Sequence, residues 1–333
     1  MEMREFGGTG IRASVVGLGC NNFGIYQNAA QAVAVVRKAL DVGINFLDMA
    51  GEHGGGLEES LVAEALGPRR KDVIIASKFG QAELLALKDG YPVFSEDKAR
   101  QGASRRWIMQ AVEESLTRLK TDYIDLYQVH VADPETPREE TLRALDDLVR
   151  QGKVRALGEA ATFATADDLN TSQAIAAANG LTPFATMEAN YSILVRDAEK
   201  TIVPALRDHK MRLLPYFPLA SGLLSGKYRG GAIPTGSRLD RMQFIKGFLP
   251  KNLEAIDRLQ AIADGRGIKL AQLAIAWLAG NPIVGSVIAG ATSAEQVVQN
   301  AAAGGITLSA ADRAEIEVSA PGPEGSRHGV DGN

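Results

Sequence analysis

The chain has 333 residues, 45% of them hydrophobic and 23% charged, with a formal net charge of −4, a balance that suits one large α/β domain or two smaller ones. Its Lys and Arg residues are scattered among acids, which argues against nucleic acid and anionic membrane as partners. A single cysteine, Cys20, excludes an internal disulfide and any cysteine-rich metal site and fits a reducing cytoplasm, while the opening M-E-M-R-E-F has no export signature and no window approaches a membrane span.

Taken in chain order, residues 3–16 read as a hairpin turning at Gly7-Gly8-Thr9-Gly10 and placed to plug the bottom of a barrel. The next stretch, G17-L-G19-C-N-N22, is the nearest approach to a G-x-G-x-x-G dinucleotide fingerprint, yet it lacks the third glycine and leads into Phe23-Gly24 instead of an apolar helix. Residues 31–42 carry Val33, Val36 and Leu40 on one helical face, with Asn28 as N-cap and Gly43 free to end the helix in a left-handed conformation. Short runs rich in β-branched and aromatic residues at 44–48, 72–77, 123–129, 154–158, 184–188, 212–216 and 284–289 alternate with helical periodicity. The helices are expected at 57–66, 104–120, 137–150, 166–178, 196–208, 252–264, 269–279 and 293–302, with a last short one after Ser309. Seven strands, with an eighth expected near Gly305-Ile306-Thr307, predict an α/β fold, a (βα)8 TIM barrel over residues 1–320 with an N-terminal β-hairpin plug. The connections 79–103 and 228–251 are long enough to be rim loops that shape a binding site, and the tail 321–333 reads as disordered.

Barrel placement gives three polar residues a common address. Asp48, Lys78 and His130 each close a separate apolar run, so on parallel strands they converge on the C-terminal rim, where such barrels hold their chemistry. An Asp–Lys pair there can polarise a neighbouring proton donor, and a histidine can orient a substrate oxygen by hydrogen bonding. Taken singly, each residue has a plain structural alternative, a barrel ion pair or a satisfied core histidine; three in register favour an enzyme.

The segments R4-E-F-G-G-T-G, G17-L-G-C, G43-I-N-F-L-D48, S77-K78-F-G, S115-L-T-R-L-K-T-D-Y-I-D-L-Y-Q-V-H130, G152-K-V-R-A-L-G158, P218-L-A-S-G-L-L-S-G-K-Y228 and I288-A-G-A-T-S-A-E-Q-V-V-Q-N300 occur in one collinear order. Together they resemble the aldo-keto reductase superfamily. The resemblance implies a barrel that binds NADP(H) in preference to NAD(H) and moves a hydride between the nicotinamide and an aldehyde or ketone, or the corresponding alcohol.

Carried over onto this chain, the family's catalytic quartet falls on Asp48, position 53, Lys78 and His130. Family members have Tyr at the second of these positions as proton donor, whereas this chain has His53, with the spacing from Asp48 and the following glycine intact. A phenol titrates near ~10 and needs a lysine to become a usable acid, while an imidazole titrates near ~6.5. Lys78 is expected to push His53 toward its neutral form, with Asp48 pulling the other way.

The resemblance also assigns cofactor contacts. They fall on Cys20, Asn21 and Asp48, on Glu188 where a Gln usually meets the nicotinamide carboxamide, and on Tyr216 as the ring beneath the nicotinamide. Ala160 and Ala161 stand where a polar pair usually holds that carboxamide. Pro218, Leu219, Ser221, Gly222, Ser225 and Lys227 fall on a pyrophosphate loop, whose small residues let backbone N–H groups approach a phosphate. Gly290, Thr292, Gln296, Gln299 and Asn300 match the adenosine segment, with Thr292 and Ser293 where many members carry Arg or Lys for a 2′-phosphate. His53, His130, Phe23 and Trp107 are candidates to line the pocket of a small-molecule substrate, packing being the alternative for Phe23 and Trp107. The reading is an NADP-dependent oxidoreductase; the alternative is a barrel that holds NADPH with little turnover and acts by binding or regulation.

Overall fold

The computed structural model describes residues 1–24, 27–88, 91–160 and 164–320, so the tail 321–333 and Ala161 lie outside the described residues. An antiparallel hairpin, β1 (Met3–Glu5) and β2 (Arg12–Ser14), precedes eight parallel strands. These are β3 (Val16–Gly19), β4 (Phe46–Asp48), β5 (Ile74–Phe79), β8 (Ile124–Val129), β9 (Val154–Glu159), β10 (Phe184–Asn190), β11 (Arg212–Tyr216) and β12 (Val287–Gly290); between β5 and β8 a separate hairpin, β6 (Leu84–Lys88) and β7 (Tyr91–Phe94), stands on the rim. The sheet closes into a barrel where the Leu213 N–H donates to Ile283 O at 2.9 Å and Leu213 O accepts from Gly285 N at 2.8 Å.

One strand expectation is corrected. Residues 305–307 form no strand, and the eighth position belongs to β3, between β12 and β4. Two glycines in the sequence V-G-L-G depress strand propensity, which hid it. They are required by large neighbours: a Cβ on Gly17 would lie 2.6 Å from the Phe46 ring, and one on Gly19 would lie 2.9 Å from Ile288 Cγ2.

The hairpin plugs the N-terminal mouth as expected. Phe6, Ile11 and Ala13 are buried among the inward side chains Phe46, Ala76, Leu126, Ala156, Leu214 and Ile288, and Phe6 meets Phe46 edge-on at 5.4 Å. Arg4 and Arg212 tie the plug in place through the carbonyls of Ala279, Val284 and Glu5. Gly7 is left-handed at φ 48°, and a Cβ there would stand 2.7 Å from Ala185 O on β10. Gly7→Ala is therefore expected to lower unfolding free energy by about 1–3 kcal/mol in urea titrations; an unchanged midpoint would mean that the plug yields without penalty.

Helices cover the outer face. α1 (Ala29–Asp41) starts in a capping box between Asn28 and Gln31, and Gly43 follows it at φ 84°. α2 (Leu57–Leu66), α3 (Arg105–Leu119), α4 (Arg138–Arg150) and α5 (Ala166–Asn179) follow the expected order. The single helix expected at 196–208 is two, α6 (Ala198–Thr201) and α7 (Val203–Asp208), because Pro204 offers no N–H to carry the ladder across the junction. The connection 228–251 contains α8 (Arg238–Arg241) and α9 (Gln243–Lys246) and runs into α10 (Phe248–Gly265); α11 (Leu270–Ala279), α12 (Ala294–Ala303) and α13 (Ala310–Ser319) complete the chain. No helix among the described residues is long and apolar enough to cross a membrane.

Candidate active site

Parallel register sets Asp48 beside Ala76, Lys78 beside Gln128 and Gln128 beside Gly158, so the polar side chains leave the sheet at one level of the C-terminal rim. Lys78 is 3% exposed. Its Nζ donates to Asp48 Oδ1 at 2.6 Å and to the Met49 carbonyl at 3.2 Å, and it lies 3.1 Å from Glu188 Oε1. Gln128 reaches across β9 to donate to Glu188 Oε1 at 2.5 Å. Gly158 leaves room for that crossing, because a Cβ there would stand 2.6 Å from Thr186 Oγ1 and 2.9 Å from Gln128 Oε1.

After β4 the chain turns through Gly54, Gly55 and Gly56, left-handed at φ 56°, 65° and 82°. The turn returns the start of α2 toward β4, so that the fully buried Glu58 meets His53, Nδ1 to Oε2 at 2.7 Å. At the end of β8, His130 Nδ1 lies 2.6 Å from Glu52 Oε1. The two imidazoles face each other with ring centroids 5.7 Å apart, inclined by 67°. The buried Glu59 pairs with the half-buried Arg118 at 2.7 Å and accepts a hydrogen bond from Ser77, which fixes α2 against β5 and α3.

The electrostatics divide the cluster. Burial works against a charged Lys78, yet Asp48 and Glu188 outweigh it and hold the ammonium well above lysine's ordinary range. Burial and the Asp48 carboxylate push Glu188 up to about 8, so at neutral pH Glu188 holds a proton. Burial also raises Glu58. It disfavours the His53 imidazolium, but Glu58 and then Glu52 more than compensate and raise His53 above ordinary histidine. His130 is lowered by burial, with Lys78 and His53 adding to it against Glu52, and Glu52 is lowered despite burial by its contact with His130. The expected contest between Lys78 and Asp48 over His53 is thereby corrected: the two glutamates dominate.

Glu188 gives this site a signature in stability. The folded carboxyl holds its proton to about 8, whereas the unfolded chain releases it near ~4.3. The native state then binds more protons than the unfolded one, so this group's contribution falls as pH rises between those values. Glu188→Gln is expected to flatten that fall and to raise stability at pH 8 by on the order of 1–3 kcal/mol. A slope that persists in the variant would assign it to another group.

The segments proposed for a cofactor follow β11 and β12. Tyr216 ends β11, its ring edge-on to Phe217 at 5.2 Å. Phe217, Ala220 and Ser221 hold φ of 49°, 47° and 55° without being glycine, a concentration of strain of the kind found at ligand sites. Pro218 and Leu219 lead into the turn Ala220–Ser225, where Gly222 has φ 102°, Ser225 Oγ is buried with no hydrogen-bond partner, and Lys227 beyond it is exposed. Asn190 Oδ1, in register with Tyr216, is likewise buried and unpartnered. Orphaned polar atoms beside a strained turn fit a ligand with amide and phosphate groups.

Past β12, the Gln296 side chain accepts from the Thr292 N–H at 2.7 Å, Gln299 donates to Glu295 at 2.5 Å, and Asn300 donates to the Gly290 carbonyl at 3.3 Å, so this segment is already braced. Cys20 is buried with its thiol toward Leu18 O at 3.7 Å, next to the half-buried Asn21, and Ala160 is buried. Phe23 has no exposed surface and packs in the core, which corrects its expected place on a pocket wall. Trp107 lies under Arg100, 5.0 Å from Cζ to ring centre, and borders a cleft with Glu52 and Lys78.

The structure thus brings Asp48, Lys78, His53, His130 and Glu188 together and adds three residues that the sequence reading passed over, Glu52, Glu58 and Gln128. Their signal was present in E52-H53-G-G-G-L-E58, two carboxylates bracketing the residue at the donor position.

A closed parallel barrel with an ion-paired lysine on its C-terminal rim has the layout of an enzyme. The Aldo/keto reductase family model matches residues 15–320, and the chain belongs to that family. It is 32% identical over 312 residues to a probable voltage-gated potassium channel subunit beta of Oryza sativa subsp. japonica, covering 90% of each. It is 31% identical over 332 residues to the L-glyceraldehyde 3-phosphate reductase of Escherichia coli strain K12, covering 95% of this chain and 92% of that one. The holo form of an aldo-keto reductase from Bacillus halodurans superposes with a TM-score of 0.74 at 28% identity, over 96% of this chain and 97% of the other.

Proposed function

We propose that this chain is an NADP(H)-preferring oxidoreductase that interconverts an aldehyde or ketone and its alcohol, with His53 in place of the family's Tyr as proton donor. The observation that carries the reading is the meeting of the Asp48–Lys78 pair with two carboxylate-anchored imidazoles on one barrel rim, in a chain that belongs to this family. A bound nicotinamide supplies the hydride. Tyr216, Asn190, Ser225, Lys227 and the segment from Gly290 to Asn300 are the residues that would hold it, and the unpartnered Ser225 and Asn190 oxygens support that fit. His53 delivers the proton to the substrate oxygen, with Glu58 and Glu52 holding that proton on the imidazole against the opposing Lys78 ammonium.

Stopped-flow oxidation of NADPH against a panel of aldehydes and ketones tests the reading, with consumption of cofactor expected for at least one of them. Binding is expected to quench tryptophan or tyrosine fluorescence, and Lys227→Ala to weaken it by about 1–3 kcal/mol through loss of a charge-assisted contact. A clear preference for NADH would remove the NADP assignment alone.

A second reading draws on the channel-subunit relatives: a barrel that holds NADPH and acts through binding. It is supported by Glu188 being engaged by Lys78 and Gln128 and by Ala160 offering no polar group to a carboxamide. Tight NADPH binding without oxidation by any carbonyl would select it.

A further inference from the structure

We infer that Glu188 is the residue by which this barrel tells the oxidised cofactor from the reduced one: its carboxyl gives up a proton to solvent when the cationic oxidised nicotinamide binds and keeps it when the neutral reduced form binds. This rests on the reading of the rim as a nicotinamide site and adds to it a discrimination between redox states that is visible without turnover.

Three buried ionisable groups meet in the barrel lumen. Asp48 from β4, Lys78 from β5 and Glu188 from β10 are 7%, 3% and 5% exposed, and the ammonium lies 2.6 Å from Asp48 Oδ1 and 3.1 Å from Glu188 Oε1. With both carboxyls ionised the cluster carries one uncompensated negative charge out of reach of water; with one of them protonated it is neutral. The two carboxyls also hydrogen-bond to each other. Two ionised carboxylates cannot do that, because each can only accept, so one of them carries a proton. It belongs to Glu188, which burial and Asp48 push up to about 8.

Glu188 acts on the ring site through its charge, since its Oε1 already takes the Lys78 ammonium and the Gln128 amide. β8 faces it with Gln128 and β11 with Leu214, while β9 has Gly158 at the level of Gln128, so the charges set against it are those of Asp48 and Lys78. Met187 and Ala189 pack outward, which leaves Glu188 and Asn190 as successive lumen-facing positions of β10, roughly 7 Å apart along the strand. Asn190, with its buried and unpartnered Oδ1, pairs in register with Tyr216, and both are among the residues assigned above to hold the cofactor. An excess negative charge one step below that site attracts a cationic ring and is indifferent to a neutral one. The proton and the oxidised ring compensate the same charge, and binding of one displaces the other. The barrel then holds NADP⁺ more tightly as pH rises, which favours alcohol oxidation in alkali.

Isothermal titration in buffers of different ionisation enthalpy counts the protons. At pH 7 the wild type is expected to release about one proton more on binding NADP⁺ than on binding NADPH; the 2′-phosphate, which titrates near ~6, is common to both and cancels. The ratio of Kd for NADP⁺ to Kd for NADPH is expected to fall about tenfold between pH 6 and 8 and to level off above, where the free enzyme has already lost the proton. Both effects should vanish in Glu188→Gln, which keeps the side chain's shape. Infrared difference spectra of the wild type should lose a buried carboxylic acid stretch on addition of NADP⁺ and keep it with NADPH, which separates Glu188 from His53 and His130, imidazoles that also feel Lys78. Equal proton release by the two cofactors, a ratio that does not move with pH, or a difference that survives in Glu188→Gln would each overturn the inference while leaving the oxidoreductase reading in place. Binding of neither cofactor would overturn both.

Discussion

Replacing His53 with phenylalanine is expected to lower kcat/KM for carbonyl reduction by roughly 10²–10⁴, the usual worth of a positioned acid. In the wild type the reductive rate should fall as pH rises, because the donor form disappears on deprotonation. That limb should lie above the range of an ordinary histidine, since Glu58 and Glu52 raise His53 against its burial. The variant also leaves Glu58 buried without its Nδ1 partner, so circular dichroism and NADPH affinity must accompany the kinetics. Unchanged turnover in a folded, NADPH-binding variant would move the acid elsewhere, with His130 or a substrate hydroxyl next in line. His53→Tyr returns the family's donor to a site that retains Asp48, Lys78 and His130 and is expected to keep or raise turnover. The effect should be larger with Glu58→Gln, which relieves the stranded carboxylate.

Much of the architecture was legible because its signals are local. Periodicity marked most of the helices, and Asn28, Gly43 and Gly7 to Gly10 act where their conformational preferences say they should. The strand that escaped, β3, was hidden by Gly17 and Gly19, whose reason lies in Phe46 and Ile288 on neighbouring strands. A residue kept small by a distant partner leaves no local trace. The break between α6 and α7 is the opposite case, since Pro204 was visible and its effect on the helix ladder is a local rule.

The candidate site was legible to the same depth. Asp48, Lys78 and His130 could be placed because each ends a strand, and strand ends are all that a parallel barrel needs to define a rim. Charge could not be placed, since it depends on which side chains fold back. Three left-handed glycines return Glu58 to His53, and the open space above Gly158 lets Gln128 reach Glu188. Neither event follows from periodicity, yet both decide how many protons the site holds.

Lys78→Met is expected to have the largest effect on stability. Lys78 is the cation between Asp48 and Glu188, all three are buried, and removing one partner of such a cluster leaves uncompensated charge worth roughly 3–5 kcal/mol. The deficit should grow with pH. Without the ammonium, ionising Glu188 beside Asp48 becomes harder still, so above about 8, where wild-type Glu188 ionises, the variant must either carry two facing carboxylates or hold a proton against its gradient. In mild acid Glu188 is protonated in either protein and the deficit should shrink. Lys78→Met/Glu188→Gln removes the second carboxyl while keeping its shape and is expected to recover a substantial part of the loss. Urea denaturation of both variants at pH 5, 7 and 9 separates the causes: a deficit that neither varies with pH nor responds to Glu188→Gln would come from lost packing of the lysine stem, and the charge balance argued for this rim would then be wrong.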